Sequence, residues 1–324
     1  MQDHHSIELL KPLGAGDGFY RYTHWLANAW SRAGMVLHSD VNVPHPIRVL
    51  GGRYFSYVPY RRRTKLIVMG SHRIESVAWP WVYKYDIVPM IWDLWPRNLE
   101  AFIRFLKYSQ VDLCFCTQSY NCRRIESVCP QVKAIWIPEG IDVDSYPAGG
   151  GLRNRPIDIL NYGRQVNWLN EAIEAYHFRR DIIHVHERGR GLLYKDFESL
   201  TQGIRDSKLV ICYPKCDTCP EVAGDVETLT QRYWECMCSG ALVIGRAPKE
   251  LIDFCGYNPV IEIDRANCCE QIQDVLDNID DYQKLADKNR NFACKFATWD
   301  SRVKIMLEAL KETGYAVDST DHKM

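Results

Sequence analysis

The stretch that decides the fold is "KLIVMGSHRIESVAWPWVYKYDIVPMIWDLWPRNLEAFIRFLKYSQVDLCFC", Lys65 to Cys116. Three short apolar runs stand out in it: KLIVMG at 65–70, DIVPMIW at 86–92 and VDLCFC at 111–116. Each is too short for a helix and is apolar on consecutive positions, which suits a strand buried on both faces. Between them lie longer amphipathic stretches, 73–84 and 97–108, which read as helices. Strand, helix, strand, helix, strand implies βαβ units and a parallel sheet. Right-handed crossovers then put helices on both faces.

Outward from that stretch the alternation continues. A helix is expected over 118–128 and a strand over 133–138. "DSYPAGGGLRNRP" (144–156) interrupts it with Gly and Pro and no periodicity, so it reads as a flexible linker. Beyond it come strands at 158–163, 182–186 and 208–214, helices at 166–178 and over YKDFESLTQGIRDS, a strand at 259–264, and helices from 268 to about 313. The expectation is an α/β protein of two Rossmann-like, doubly wound domains facing each other across a cleft, with domains at 1–148 and 152–299. Ligands bind such sheets at the carboxyl ends of their strands. Two such ends across a hinge can close on two substrates, excluding water and aligning the reactants.

Bulk properties narrow the function. A chain of 324 residues, 46% hydrophobic and 25% charged, suits two globular domains. The net charge of −1 argues against a dedicated nucleic-acid binder. Arg61, Arg62 and Arg63 follow Tyr57 and Tyr60 and could touch anionic lipid or phosphate, although a solvated turn is the simpler reading. No apolar run is long enough to span a bilayer, and MQDHHSIELL lacks the charge and hydropathy pattern of a secretory signal. The thirteen cysteines scatter through expected strands and helices, which reads as reduced thiols in the cytosol. Cys212, Cys216 and Cys219 contain only one C-x-x-C pair, a poor zinc signature.

The chemistry concentrates in "ETLTQRYWECMCSGALVIG", Glu227 to Gly245. Two carboxylates, Glu227 and Glu235, precede a small-residue break and a buried strand. A helix beginning between them, capped by Thr228 or Thr230, leaves Glu227 in a loop and Glu235 on the helix side. The helix N-terminus offers free N–H groups and a positive dipole end, suited to a diphosphate. A carboxylate beside it can accept hydrogen bonds from sugar or ribose hydroxyls. Taken alone, the spacing is more simply read as two solvated surface glutamates.

Four further stretches agree with that one in order and spacing: VPMIWDLWP (88–96), AIWIPEGIDVDSYP (134–147), DILNYGR (158–164) and FATWDSRV (296–303). Together they resemble the retaining GT-B glycosyltransferases of the large E-x7-E family, glycosyl transferases group 1. The resemblance implies transfer of a sugar from a nucleotide-sugar donor to a saccharide or lipid-linked saccharide, by a hexosyltransferase-type enzyme, with retention. It implies that Glu235 binds the ribose, Glu227 contacts the donor sugar, and Arg164 after Gly163 meets the diphosphate. It implies no cofactor and no metal, because protein cations stabilise the leaving diphosphate. It also implies that a C-terminal helix, 300–324, packs back on the first domain. Localisation would be cytoplasmic, with peripheral contact at the inner face of a membrane open to it.

The chain departs from that family in several places. The usual phosphate Lys after Gly-Arg is missing, and Arg232 is the candidate substitute, against an ordinary surface ion pair. Thr228, Leu229 and Thr230 replace the Gly-Phe-Gly that lets backbone approach the donor. Trp92 stands where His is usual, with Asp93 retained, and Glu139 stands where Asn is usual. On the acceptor side, the Gly-rich loop of Gly14, Gly16 and Gly18 could approach a substrate, although its spacing is not a dinucleotide fingerprint. His72 and Asp93, after strands 65–70 and 86–92, are candidates for proton transfer or sugar binding; a plain loop histidine and a helix N-cap are the alternatives. A nucleotide-sugar epimerase would need acid and base groups around the sugar that the first domain does not display. A non-catalytic module that kept the fold is the other alternative.

Overall fold

The structure, a computed structural model, describes residues 7–12, 21–41, 43–55, 57, 64–71, 73–188 and 193–314. The chain divides into two compact units. The first comprises residues 1–139, 221–226 and 299–324, and the second 140–220 and 227–298.

In the first unit the elements are β1 (Ile7–Leu10), α1 (Arg21–Arg32), β2 (Val36–His38), α2 (His45–Tyr54), β3 (Lys65–Gly70), α3 (Ile74–Ala78), β4 (Asp86–Ile91), α4 (Pro96–Tyr108), β5 (Leu113–Cys116), α5 (Ser119–Val128) and β6 (Lys133–Trp136). Among the described residues its sheet has six parallel strands in the order β2-β1-β3-β4-β5-β6. The consecutive apolar runs are explained by burial on both faces. Leu66, Val68, Ile87 and Cys114 point into one core layer, and their neighbours Ile67, Met69, Val88 and Phe115 into the other.

The second unit runs through β7 (Ile157–Asn161), α6 (Asn167–Ala175), β8 (His184–His186), α7 (Phe197–Arg205), β9 (Ser207–Cys212) and the short α8 (Lys215–Thr218); after the short α9 (Pro220–Ala223), which falls mostly in the first unit, it continues with α10 (Gln231–Cys238), β10 (Leu242–Gly245), α11 (Lys249–Cys255), β11 (Val260–Glu262), α12 (Cys268–Asp277) and α13 (Gln283–Phe296). Its five-stranded sheet is parallel in the order β11-β10-β9-β7-β8. The last helix, α14 (Trp299–Glu312), belongs to the first unit. It lays Trp299, Val303, Met306 and Leu310 against Leu26 and Trp30 of α1, and Arg302 donates to the Pro138 carbonyl at 2.8 Å.

Two expectations need correction. The helix over 73–84 is broken into α3 and a 3-10 turn at Trp81–Tyr83. Pro80 explains the break, because it disfavours helical geometry in the residue before it, and Trp79 is extended at ψ 133°. The stretch 144–156 is not a free linker. Tyr146 and Leu152 are buried, and Arg155 donates to the carbonyls of Gly150, Ser207 and Ser239 at 3.0, 2.9 and 3.0 Å. The first stretch of the first unit runs to Glu139, and residues 140–156 belong to the second unit. Among the described residues no helix is long and apolar enough to cross a membrane.

Candidate functional site

The expected donor-site residues gather in the second unit, where the loop after β7 meets the start of α10. Thr230 enters α10 with extended geometry (φ −103°, ψ 162°), and Gly240 in the left-handed region (φ +70°) follows its end. The expected threonine cap is not formed. Thr230 occupies the N-cap position without a side-chain hydrogen bond, and Thr228 is buried upstream.

On α10, Arg232 and Glu235 are three residues apart and share a face. Between them lies Tyr162. The Arg232 guanidinium sits over the Tyr162 ring, 5.0 Å from its centroid, and the Tyr162 hydroxyl donates to Glu235 Oε2 at 2.7 Å. The Tyr146 hydroxyl donates to Glu235 Oε1 at 2.8 Å. Burial, then the neighbouring Cys236 and Glu235, push the Tyr162 phenol well above its ordinary range, so it stays protonated and able to donate. Glu235 is thus a buried carboxylate, 5% exposed, gripped by two phenols.

Gly163 lies beneath Arg232. Its φ is +69°, which favours glycine, and Arg232 Nη2 lies in the space a Cβ would take. Arg232 Nη1 donates to the Arg164 carbonyl at 3.3 Å. Among the described residues Arg232 has no carboxylate within ion-pair distance, which disposes of the surface ion pair. A guanidinium has five N–H donors in a planar fork. One carbonyl and one ring face leave most of them for an anion. The Gly163 amide is taken by Glu187 Oε1 at 3.3 Å, so a carboxylate oxygen already sits at this loop.

Glu227 lies where the loop was expected, but it is engaged. Oε1 pairs with Arg246, and Oε2 accepts from the Lys249 amide at 2.7 Å. Arg246 also bonds Asp217 Oδ1 at 2.8 Å. Leu229 is buried, and its amide donates to Glu250 Oε2 at 2.8 Å. The segment replacing Gly-Phe-Gly is therefore fastened internally by carboxylates. Tyr146, Tyr162, Glu187, Arg246 and Glu250 all escaped the sequence reading. Only Tyr162 carried a signal, standing directly before Gly163-Arg164.

In the first unit, Asp93 follows β4 with φ +51°, a left-handed conformation uncommon outside glycine and found at functional turns. Trp92, where the family has His, belongs to the core: it is 2% exposed and lies 5.9 Å from Trp299, centroid to centroid. His72, the loop of Gly14, Gly16 and Gly18, and Arg61 to Arg63 lie outside the described residues. All thirteen cysteines are free thiols. Among the described residues no group of three or more His, Cys, Asp or Glu side chains could hold a metal ion.

No protein-family model matches the chain, and no curated protein matches it. Solved structures do. Sucrose-phosphate synthase from Thermosynechococcus elongatus superposes with a TM-score of 0.62 at 13% identity, over 95% of this chain and 99% of that one. HepE from Anabaena, crystallised with UDP and glucose, gives 0.60 at 9% identity, over 95% of this chain and 100% of its own. An α-glucosyltransferase crystallised with UDP and a 13-mer DNA gives 0.57 at 9%, over 94% and 99%. At such identities the likeness establishes the fold: two Rossmann-like parallel α/β sheets of the GT-B class.

Proposed function

We propose that this chain is a glycosyltransferase that moves a sugar from a nucleotide-sugar donor to a saccharide or lipid-linked saccharide acceptor, with retention. The observation that carries the reading is Arg232, a cation with no carboxylate within ion-pair distance among the described residues, poised over a left-handed glycine at the carboxyl end of β7. A diphosphate at this turn would meet the Arg232 fork, and Arg164 would join it. Preorganised cations of this kind stabilise charge on a leaving diphosphate without a metal ion. Glu235 would take the ribose by admitting its hydroxyls as further donors, and Glu227 would contact the donor sugar beside Thr228, Leu229 and Thr230. Asp93 and His72 would serve the acceptor side with the loop of Gly14, Gly16 and Gly18. HepE and the α-glucosyltransferase, each crystallised with UDP, lend support to a uridine nucleotide as the first donor to try. The reading includes a cytoplasmic location with peripheral membrane contact.

Calorimetric titration with UDP-, GDP- and TDP-sugars, followed by assay of donor hydrolysis and transfer, tests this. Binding with slow release of free sugar is expected. Absence of binding to every nucleotide would sink it. One observation favours a second reading, a non-catalytic binding module: both glutamates of the pair are already engaged, Glu227 by Arg246 and Glu235 by two tyrosines. Nucleotide binding with no turnover toward any acceptor would decide for the module.

A further inference from the structure

Helix α2 is built inside out. The side it turns to the protein is made of Arg48, Gly51 and Gly52, all buried. A Cβ at Gly51 would run into the Trp79 ring, and one at Gly52 would lie 2.6 Å from the backbone of Glu75. Arg48 is fixed in the same seam, donating to Asp40 Oδ1 at 2.7 Å and to the Val41 carbonyl at 2.6 Å. Only glycines permit this close seat, so the helix cannot roll its other face inward. That other face carries Ile47, Leu50 and Tyr54, at i, i+3 and i+7, exposed by 51%, 56% and 64%. Phe55 and Tyr57 extend it at 60% and 65%, and Tyr83, 43% exposed, donates to the Phe55 carbonyl. An ordinary surface helix hides such residues. A contiguous exposed apolar patch of this kind marks an interaction surface.

Charge selects the occupant. From Val41 to Ile74 the sequence contains no Asp or Glu, while it holds Arg53, Arg61, Arg62, Arg63 and Arg73 besides the buried Arg48 and Lys65. The Arg53 guanidinium lies over the Tyr54 ring, 5.4 Å from its centroid, at the end of the apolar face. A second copy docking face to face would set cation against cation. An anionic bilayer surface answers both features, taking the apolar side chains among its acyl chains and Arg53 at its headgroups.

The geometry points to α2 as a membrane-docking face, which lays Ile47, Leu50, Tyr54, Phe55 and Tyr57 into an anionic phospholipid surface. This deepens the membrane contact in the reading above, and it does not depend on the donor chemistry. The test is co-sedimentation of the full chain with vesicles of phosphatidylcholine alone or mixed with phosphatidylglycerol. Binding is expected to the mixed vesicles and to fall as salt screens the headgroups. The double variant Ile47→Ser with Leu50→Ser should weaken it at least about tenfold, and Arg53→Glu about fivefold or more. Unchanged melting temperature and unchanged calorimetric response to UDP in these variants would place the loss at the surface alone. No binding to mixed vesicles at low salt, or equal binding by the double variant, overturns the inference. So does a concentration-dependent dimer that the double variant abolishes, since the face would then belong to a second copy. Failure of UDP binding with vesicle binding intact would count against the glycosyltransferase and leave the docking face standing.

Discussion

Arg232 and Glu235 sit one helical turn apart, yet they predict opposite outcomes when removed. Arg232 packs on a ring and a carbonyl and, among the described residues, leaves no ion-paired carboxylate behind. Arg232→Ala should therefore keep the fold, and it should raise the Kd for a nucleoside diphosphate about tenfold to a hundredfold, the loss of a charge-assisted hydrogen-bond pair. Calorimetry with UDP measures this, and an unchanged Kd would remove the guanidinium from the diphosphate site. Glu235→Ala strands the hydroxyls of Tyr146 and Tyr162 in the interior. It should cost about 2–4 kcal/mol of stability in urea unfolding as well as weakening the donor. Glu235→Gln, which keeps one acceptor oxygen, should fall between. The helix, the loop position of Glu227 and the side position of Glu235 were legible from local spacing. The partners were not. Tyr146 lies 89 residues from Glu235 and Tyr162 lies 73, and only the folded sheet brings them to it. The same holds for Arg246, which reaches Glu227 across the β10–α11 turn.

At the scale of elements, apolar runs buried on both faces announced the strands, and β3 occupies the span read for it, Lys65–Gly70. What escaped were places where one residue overrides a pattern. Pro80 ends α3 early, and Arg155 turns a Gly-rich stretch into packed structure by capping three carbonyls. Helix α2 shows the same override by glycine. Gly52→Ala should gain about 1 kcal/mol of helix propensity yet lose more to its clash with the Glu75 backbone, for a net cost of ~1–2 kcal/mol. Denaturant midpoints for Gly52→Ala and Leu50→Ser together check this, the second being nearly neutral because Leu50 is exposed. The edge strand β8 makes a pH prediction. Burial first, then the neighbouring His186, hold the His184 imidazole down to about 4. An unfolded histidine titrates near 6.5. Between those values the unfolded chain binds the proton and the folded one does not, so this site's contribution falls as pH drops from about 6.5 to about 4. The whole effect is at most ~3 kcal/mol, reduced by solvent because the side chain is partly exposed. Urea midpoints across that range should slope less steeply in His184→Asn.

At the scale of the whole molecule, two sheets of the same kind appear in one chain, and the C-terminal helix α14 returns to the unit in which the chain began. Each parallel sheet offers the carboxyl ends of its strands, the usual place for a ligand. The cationic turn after β7 belongs to the second unit alone. If that turn is the diphosphate seat, nucleotide binds the folded chain and not the unfolded one. Linkage then stabilises the fold by about 2.7 kcal/mol at a hundredfold excess over Kd. For a chain of this length that becomes a rise of about 4 °C in Tm. A thermal scan with UDP should show this rise, and Arg232→Ala should lose most of it at the same nucleotide concentration. Chelation supplies the second arm. Protein cations, rather than a bound metal, are proposed to neutralise the diphosphate, so the rise should persist in EDTA. A shift that appears only with added divalent ion would transfer the diphosphate from the arginines to a metal, and the proposed site would have to be rebuilt around it.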